Sequence, residues 1–170
     1  MVEYLIPFKG LSFGKHDYQF HVGELFFAEK KSELVKEGDL TINFTLDKQS
    51  RNMISEMSIK GTIRLVCDRC IDKFDYPIDV TYNQIFMFAN APEIQEDDII
   101  YLGDSEYQLD VSELILENIL LQVPIKKVHP DNEDGTPACN PKQLKLINKF
   151  TKQKQSDPRW DALKNIKFDD

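Results

Sequence analysis

The sequence predicts an α+β fold. An antiparallel sheet, open or barrel-like, is expected to pack on one main buried helix, and short helices are expected near the C-terminus. Apolar and polar residues alternate from Leu40 to Phe88, and a continuous apolar stretch, Leu114–Val123, follows a helix start. Alternation with a period of 2 is typical of strands with one buried face, and an all-apolar helix belongs in a core. A chain of 170 residues with 41% hydrophobic residues can bury such a core without disulfides.

The alternating positions define the predicted core face of the sheet. They are Ile42, Phe44, Leu46, Met57, Ile59, Ile63, Leu65, Cys67, Ile78, Val80, Tyr82, Phe86 and Phe88. The connections between these segments are short, which favours antiparallel pairing. Gly61 lies inside a predicted strand and indicates a bulge or bend there.

The flanking segments predict smaller elements. Tyr18, Phe20 and Val22 alternate and predict a short strand, and Leu25–Val35 contains helix formers that Gly38 would close. Short edge strands are predicted over Ile99–Leu102 and Tyr107–Leu109.

Helix boundaries can be placed from capping residues. Asp110 can accept hydrogen bonds from the first free amides and Glu113 follows three residues later, as in a capping box, while Pro124 ends the helix. A second short helix is predicted over Asn140–Ile147, and Asp157 with Pro158 starts a last one. We expect one domain over residues 1–150, followed by a flexible linker and a short C-terminal helix over 151–170.

The charges are separated along the chain. The net charge is −8, yet Phe74–Ile125 holds eleven acidic residues and no base, whereas Ala138–Ser156 holds five lysines and no acid. A basic surface can therefore act locally in an acidic protein. No apolar stretch approaches the roughly 18 residues of a membrane helix, and Met1–Gly10 does not resemble a signal peptide. With three cysteines and no disulfide framework, we expect a cytoplasmic protein, with no membrane partner and no small-molecule substrate.

The pair Cys67 and Cys70 is the strongest candidate for chemistry. It lies between two strand patterns, so Asp68 and Arg69 are expected at a hairpin turn. Two thiolates three residues apart can bind one Zn²⁺ ion, which needs four ligands. His129 and Cys139 are the candidate second pair, with Asp131 as a poorer substitute, and their spacing of ten residues is loose. One alternative is that Cys67 and Cys70 are two reduced structural cysteines. Another is thiol redox chemistry, but the pair lacks the helix N-terminus that stabilises reactive thiolates. For His129 the alternative is a surface or capping residue.

The downstream lysines are the candidate RNA-binding residues. Lys142, Lys145 and Lys149, continued by Lys152, would form one stripe on a helix, and such a stripe can follow a phosphate backbone. The alternative is a solvated helix face. If the hairpin tip and the end of the main helix lie together, the patch would be extended by Arg64, Arg69, Lys73, Lys126 and Lys127.

Catalytic patterns are not found. The sequence has no Gly-x-Ser-x-Gly motif, no phosphate-binding glycine loop and no persuasive Cys–His pair, so we expect no enzyme. The acidic group Glu96, Asp97 and Asp98 lacks the ligand spacing of a calcium loop and is interpreted as a solvated loop.

Three segments together resemble the bacterial YceD-type family. They are Ile63–Ile71, with the Cys-x-Arg-Cys turn, Asp110–Ile125, with the apolar helix and its terminal Pro124, and Asp157–Leu163, which resembles the family's C-terminal motif. The resemblance spans roughly residues 40–166. It implies a role in the accumulation or processing of 23S ribosomal RNA and in assembly of the large ribosomal subunit, with no catalytic activity attached. Many members carry a second, glycine-containing cysteine cluster, of which Val128–Asn140 keeps His129 and Cys139.

Two functional hypotheses follow. The first is a module that binds ribosomal RNA or a pre-50S particle, which the resemblance and the lysines favour. The second is an adaptor whose acidic Phe74–Ile125 region binds a basic protein, such as a ribosomal protein. A redox enzyme built on Cys67 and Cys70 is a third and weaker possibility.

Overall fold

The structure, a computed structural model, describes residues 4–89 and 99–151. These residues form two compact units. The first runs to Val66 and resumes from Lys73 to Lys127, and the second consists of Cys67–Asp72 and the chain from Val128. The predicted acidic loop with Glu96, Asp97 and Asp98 and the predicted C-terminal helix at Asp157 lie outside the described residues. The predicted boundary at residue 150 stays a prediction.

The first unit is built around one five-stranded sheet. Its elements are β1 (Leu5–Ile6), β2 (Gly14–Val22), α1 (Glu24–Glu29), β3 (Glu37–Lys48), β4 (Asn52–Val66), β5 (Lys73–Phe88), β6 (Ile99–Leu102), β7 (Leu109–Asp110) and α2 (Ser112–Leu120). The sheet order is β2-β3-β4-β5-β6, and β1 pairs with β7 separately. The second unit contains α3 (Pro141–Thr151).

The prediction of an antiparallel sheet is confirmed for β2 to β5 and corrected at its edge. β6 pairs with β5 in parallel, over Ile85↔Ile99 to Phe88↔Leu102, so the sheet is mixed. The expected barrel-like form is wrong, because β2 and β6 lie at the two edges of an open sheet. β6 has only four residues, too few to pair along the nine residues of β2 at the opposite edge.

The alternation of β3 and β4 produces the core as expected. The fully buried positions include Ile42, Phe44, Leu46, Met57, Ile59, Ile63 and Leu65. Gly61 is required by the close approach of β3 rather than by a bulge, since the register through it is continuous. Its φ is +143°, and a Cβ there would lie 2.1 Å from the Asp39 carbonyl oxygen.

The predicted main helix packed across the sheet is not confirmed. Within α2, Ile115, Asn118 and Ile119 are buried on one side, and the helix ends at Leu120, so that Leu121 is exposed. The expected capping box is also wrong. Asp110 accepts hydrogen bonds from the amide and hydroxyl of Ser112, at 2.9 and 2.5 Å, but the carboxylate of Glu113 pairs with Lys30 at 2.6 Å.

Two further helices differ in length from expectation. α1 has six residues and ends before Lys31, whose φ is +52°, so the helix predicted over Leu25–Val35 is shorter. α3 is longer than the predicted Asn140–Ile147 and includes Thr151, which had been expected in the linker. In the described part of the chain, no helix is long and apolar enough to cross a membrane.

Candidate metal centre

A tight turn in the second unit presents the first two candidate ligands. The Cys67 amide donates to the Asp72 carbonyl at 3.0 Å, and the Ile71 amide donates to the Cys67 carbonyl at 2.9 Å. The turn predicted between the two strands is therefore confirmed. Its hydrogen bonds close a short loop that holds Cys67 and Cys70 in fixed positions.

Ile71 gives this turn a strained backbone. Its φ is +67°, in the left-handed region that β-branched residues rarely adopt. The side chain is 77% exposed, so packing does not account for the conformation. Such strain persists where the surroundings determine the backbone, and it is a recurring property of ligand-binding sites. Sequence reasoning missed this residue, because no local pattern predicts a left-handed isoleucine.

Four side chains of the second unit converge beside the turn. The ligand atoms of Cys67, Cys70, His129 and Cys139 all lie within 4.8 Å of one another. The Cys67 and Cys139 Sγ atoms are 3.7 Å apart, and His129 Nδ1 lies 3.5 Å from Cys70 Sγ and 3.7 Å from Cys139 Sγ. The grouping predicted as a possible ligand set is therefore present, whereas Asp131 does not belong to this cluster.

These distances match the edges of a zinc tetrahedron. Zinc–sulfur bonds of about 2.3 Å imply sulfur–sulfur edges of about 3.8 Å, close to the separation of Cys67 and Cys139. The three cysteines are free thiols and are nearly inaccessible to solvent, while His129 is half-buried. Three thiols and one imidazole form a donor set that structural zinc sites use. The residues present therefore fit a zinc ion.

The thiols differ in their electrostatic surroundings. Burial alone raises the pKa of the Cys67 thiol, but hydrogen bonds from the amides of Cys70 and Arg69 outweigh burial and bring this pKa down to about 6. His129 adds to that lowering through its backbone and its ring. Burial, together with the neighbouring sulfur atoms of Cys67 and Cys70, raises the pKa of Cys139 to about 11. Cys67 is thus more ready to bind a cation than Cys139, which must give up a proton to do so.

Asn140 connects the cluster to α3. Its side chain donates to the Asp72 carboxylate at 3.0 Å, and its Oδ1 accepts from the Lys142 amide at 3.0 Å. The same residue therefore caps the helix and binds the turn that carries Cys67. Asparagine followed by Pro141 is a helix-start pattern, which was the available sequence indication of this contact.

The candidate RNA-binding residues fall in both units. In the first unit, Arg64 contacts Asp75 at 3.0 Å, and Lys73 forms an ion pair with Glu37, so both charges have local partners. Lys126 and Lys127 lie near the end of that unit. In the second unit, Arg69 lies in the turn. The extension of one patch over these residues stays a prediction.

The predicted lysine stripe on α3 is confirmed as a helical arrangement. Lys142, Lys145 and Lys149 are exposed and lie three and four residues apart, on one side of the helix. α3 contains no acidic residue. Lys152 lies outside the described residues.

The fold and the cluster define a class of protein, namely a mixed-sheet protein with a Cys₃His cluster whose first two cysteines lie in the turn between two long strands. The chain belongs to the YceD family: the family described as "Large ribosomal RNA subunit accumulation protein YceD" matches residues 55–167. It is also 29% identical over 126 residues to the Bacillus subtilis protein named "Uncharacterized protein YlbN". The aligned segment covers 73% of this chain and 72% of that protein. No solved structure matches the chain significantly.

Proposed function

We propose that this protein is a non-catalytic cytoplasmic factor that binds ribosomal RNA or a pre-50S particle and supports the accumulation of 23S ribosomal RNA. The observation that carries the proposal is α3, a helix with three exposed lysines and no acid, which begins directly after Cys139 and Asn140. The family description supports a role connected with the large ribosomal subunit.

In this proposal a zinc ion bound by Cys67, Cys70, His129 and Cys139 has a structural role. Four protein ligands complete the tetrahedron and leave no position for a substrate or an activated water. Bound zinc would supply folding free energy to the second unit, whose turn and helix start meet at Asn140. It would thereby fix the start of the basic helix α3.

The phosphate backbone is the ligand that suits α3. Lysines at intervals of three and four along one side form a line of positive charge, which is the arrangement that releases counterions from a nucleic acid. The overall charge of −8 does not prevent this, because charges further away than about 10 Å are largely screened at moderate salt.

The adaptor hypothesis is less well supported by the described residues. Several acids of the acidic region already pair with bases of the same unit: Asp75 with Arg64, Asp79 with Lys60, and Glu113 with Lys30. Internal pairing leaves less negative charge for a basic partner.

Depletion of the protein in its native host tests the proposal. We expect the ratio of mature 23S to 16S ribosomal RNA to fall, and wild-type protein to restore it. A variant with Lys142, Lys145 and Lys149 changed to glutamine should not restore the ratio.

A charge-matched control uses three exposed lysines of the first unit, Lys15, Lys31 and Lys36, changed to glutamine. This variant should restore the ratio fully. An unchanged ratio after depletion, together with the lack of any crosslink between the protein and ribosomal RNA, would contradict the proposal.

A further inference from the structure

The outer edge of β2 is an open strand edge. In the part of the chain that the structure describes, β2 pairs with β3 alone and forms one end of the five-stranded sheet. It runs for nine residues, Gly14–Val22, without a proline and without a break in its register. Proteins usually shield such an edge with a proline, a bulge or a covering segment, because its free backbone groups can pair with a strand of another molecule. The edge of β2 therefore offers a site for strand pairing.

The register of the sheet determines which residues of β2 direct their backbone groups outward. The amide of Gln49 donates to the carbonyl of Asn52 at 2.9 Å and continues the ladder between β3 and β4. Bonded pairs alternate along a ladder, so the odd-numbered residues of β3 bond to β4 and the even-numbered ones bond to β2. Even-numbered residues of β2 lie opposite even-numbered residues of β3, as Tyr18 does opposite Phe44. The residues of β2 with outward N–H and C=O groups are therefore Lys15, Asp17, Gln19 and His21.

Tyr4 limits the length of the open edge. Its hydroxyl donates to the outward carbonyl of His21 at 2.9 Å, which agrees with this assignment. Its ring packs beside Phe20, with the two ring centroids 5.5 Å apart. A partner strand would have to displace Tyr4 before it could pair with His21, so the open part of the edge consists of residues 14–19.

We infer that two copies of the chain associate through this edge, as antiparallel strands with Lys15 opposite Asp17 of the second copy. Hydrogen-bonded pairs across the contact must join outward-directed residues, and the two-fold axis then passes through one residue of β2. An axis at Lys15 or at Asp17 would place two like charges directly opposite each other, which destabilises a strand pair. An axis at Tyr18 would bring each strand against Tyr4 of the second copy. An axis at His16 avoids both problems and forms two Lys15–Asp17 pairs.

The side chains fit this register on both faces of the sheet. Lys15 is exposed and has no ion pair among the described residues, and Asp17 accepts a hydrogen bond from the Thr45 hydroxyl at 2.7 Å. On the core face, Gly14 comes opposite the half-buried ring of Tyr18 of the second copy. An aromatic ring across from an edge glycine covers the exposed backbone and stabilises the strand pair. Charge and shape are therefore complementary between two copies of the same edge, which favours self-association over pairing with another protein's strand.

The contact is small, so the association should be weak. Only residues 14–18 of each strand overlap, whereas a stable dimer usually buries about 800 Å² on each copy. Dimers should therefore form at micromolar to millimolar protein and be absent at the nanomolar concentrations of RNA-binding measurements. The proposed function of α3 does not depend on this contact.

Sedimentation velocity of the full-length protein at rising concentration tests the inference. The wild type should shift from monomer towards dimer between about 10 μM and 1 mM. Lys15→Glu and Asp17→Lys should each raise the dimer dissociation constant about tenfold or more, because each places two pairs of like charges opposite each other. An equimolar mixture of the two variants should associate as the wild type does, since a heterodimer restores an acid opposite a lysine in both pairs.

Glu56→Lys is the matched control, because it makes the same charge change as Asp17→Lys at an exposed position of β4 on the same face of the sheet. This control should dimerise as the wild type does. All three variants change exposed side chains, so their circular dichroism should match that of the wild type. A wild type that stays monomeric at about 1 mM, single edge variants that dimerise normally, or a mixture that stays monomeric would each overturn the inference. None of these outcomes bears on RNA binding by α3.

Discussion

Neutralising the lysine stripe of α3 should weaken RNA binding in a way that depends on salt. The stripe consists of Lys142, Lys145 and Lys149, all exposed and with no acid on the same helix. Each phosphate contact to a single strand contributes about 0.7 to the slope of log K against log salt. Three contacts therefore contribute about 2 to this slope. Changing all three lysines to glutamine should lower the affinity for RNA about 100-fold at 0.1 M salt but only about fourfold at 0.5 M.

Fluorescence anisotropy with a labelled single-stranded RNA, repeated over this range of salt, measures both slopes. The Lys15, Lys31 and Lys36 variant makes the same change in net charge and should keep the wild-type slope. Equal slopes for the stripe variant and the wild type would refute the reasoning, because they would mean that α3 touches no phosphate.

Three further predictions concern the fold and the cluster. Gly61→Ala should lower the free energy of unfolding by about 3 kcal/mol or more in a denaturant titration, because its Cβ would lie 2.1 Å from the Asp39 carbonyl oxygen at a φ of +143°. Ile71→Asn should tighten zinc binding about fivefold in a chelator competition, since asparagine relieves about 1 kcal/mol of left-handed strain. Zinc affinity should fall as the pH falls. Because Cys139, with a pKa of about 11, must lose its proton to bind zinc, the affinity should fall about tenfold for each pH unit. Below about pH 6, protonation of Cys67 should make this fall steeper.

Each of these has a control or an outcome that would contradict it. Gly10→Ala adds a Cβ in open space and should change stability by less than about 0.5 kcal/mol, so equal effects at both glycines would remove the steric argument. Ile71→Val keeps the β-branched strain and should bind zinc as the wild type does. A zinc affinity that is constant between about pH 5 and 8 would mean that the thiols are not the ligands.

The local parts of this fold were accessible from the sequence. Alternation around Ile42, Phe44 and Ile59 predicted long strands with one buried face, because the period of side chains along a strand is fixed by backbone geometry. The turn at Cys67–Asp72 followed from its place between two such patterns. Gly61 was recognised as special, although the reason is the approach of the β3 backbone.

The parts that depend on distant contacts were not accessible. The parallel pairing of β6 with β5 and the short, one-sided burial of α2 depend on which surfaces meet in the folded chain. Neither feature produces a periodic pattern in the sequence. The candidate cluster was half visible, since Cys67 and Cys70 have ligand spacing. The convergence of His129 and Cys139 on them depends on the path of a loop whose sequence spacing of ten residues matches no common pattern.

The zinc content of protein purified without chelator tests the central claim most directly. We predict about one zinc per chain in the wild type, and loss of this zinc in Cys139→Ser and in His129→Ala, because each removes one of four ligands. His21→Ala, which changes a surface histidine paired with Asp39, should keep the metal. A wild-type protein that takes up no zinc, or ligand variants that hold as much zinc as the wild type, would contradict the account.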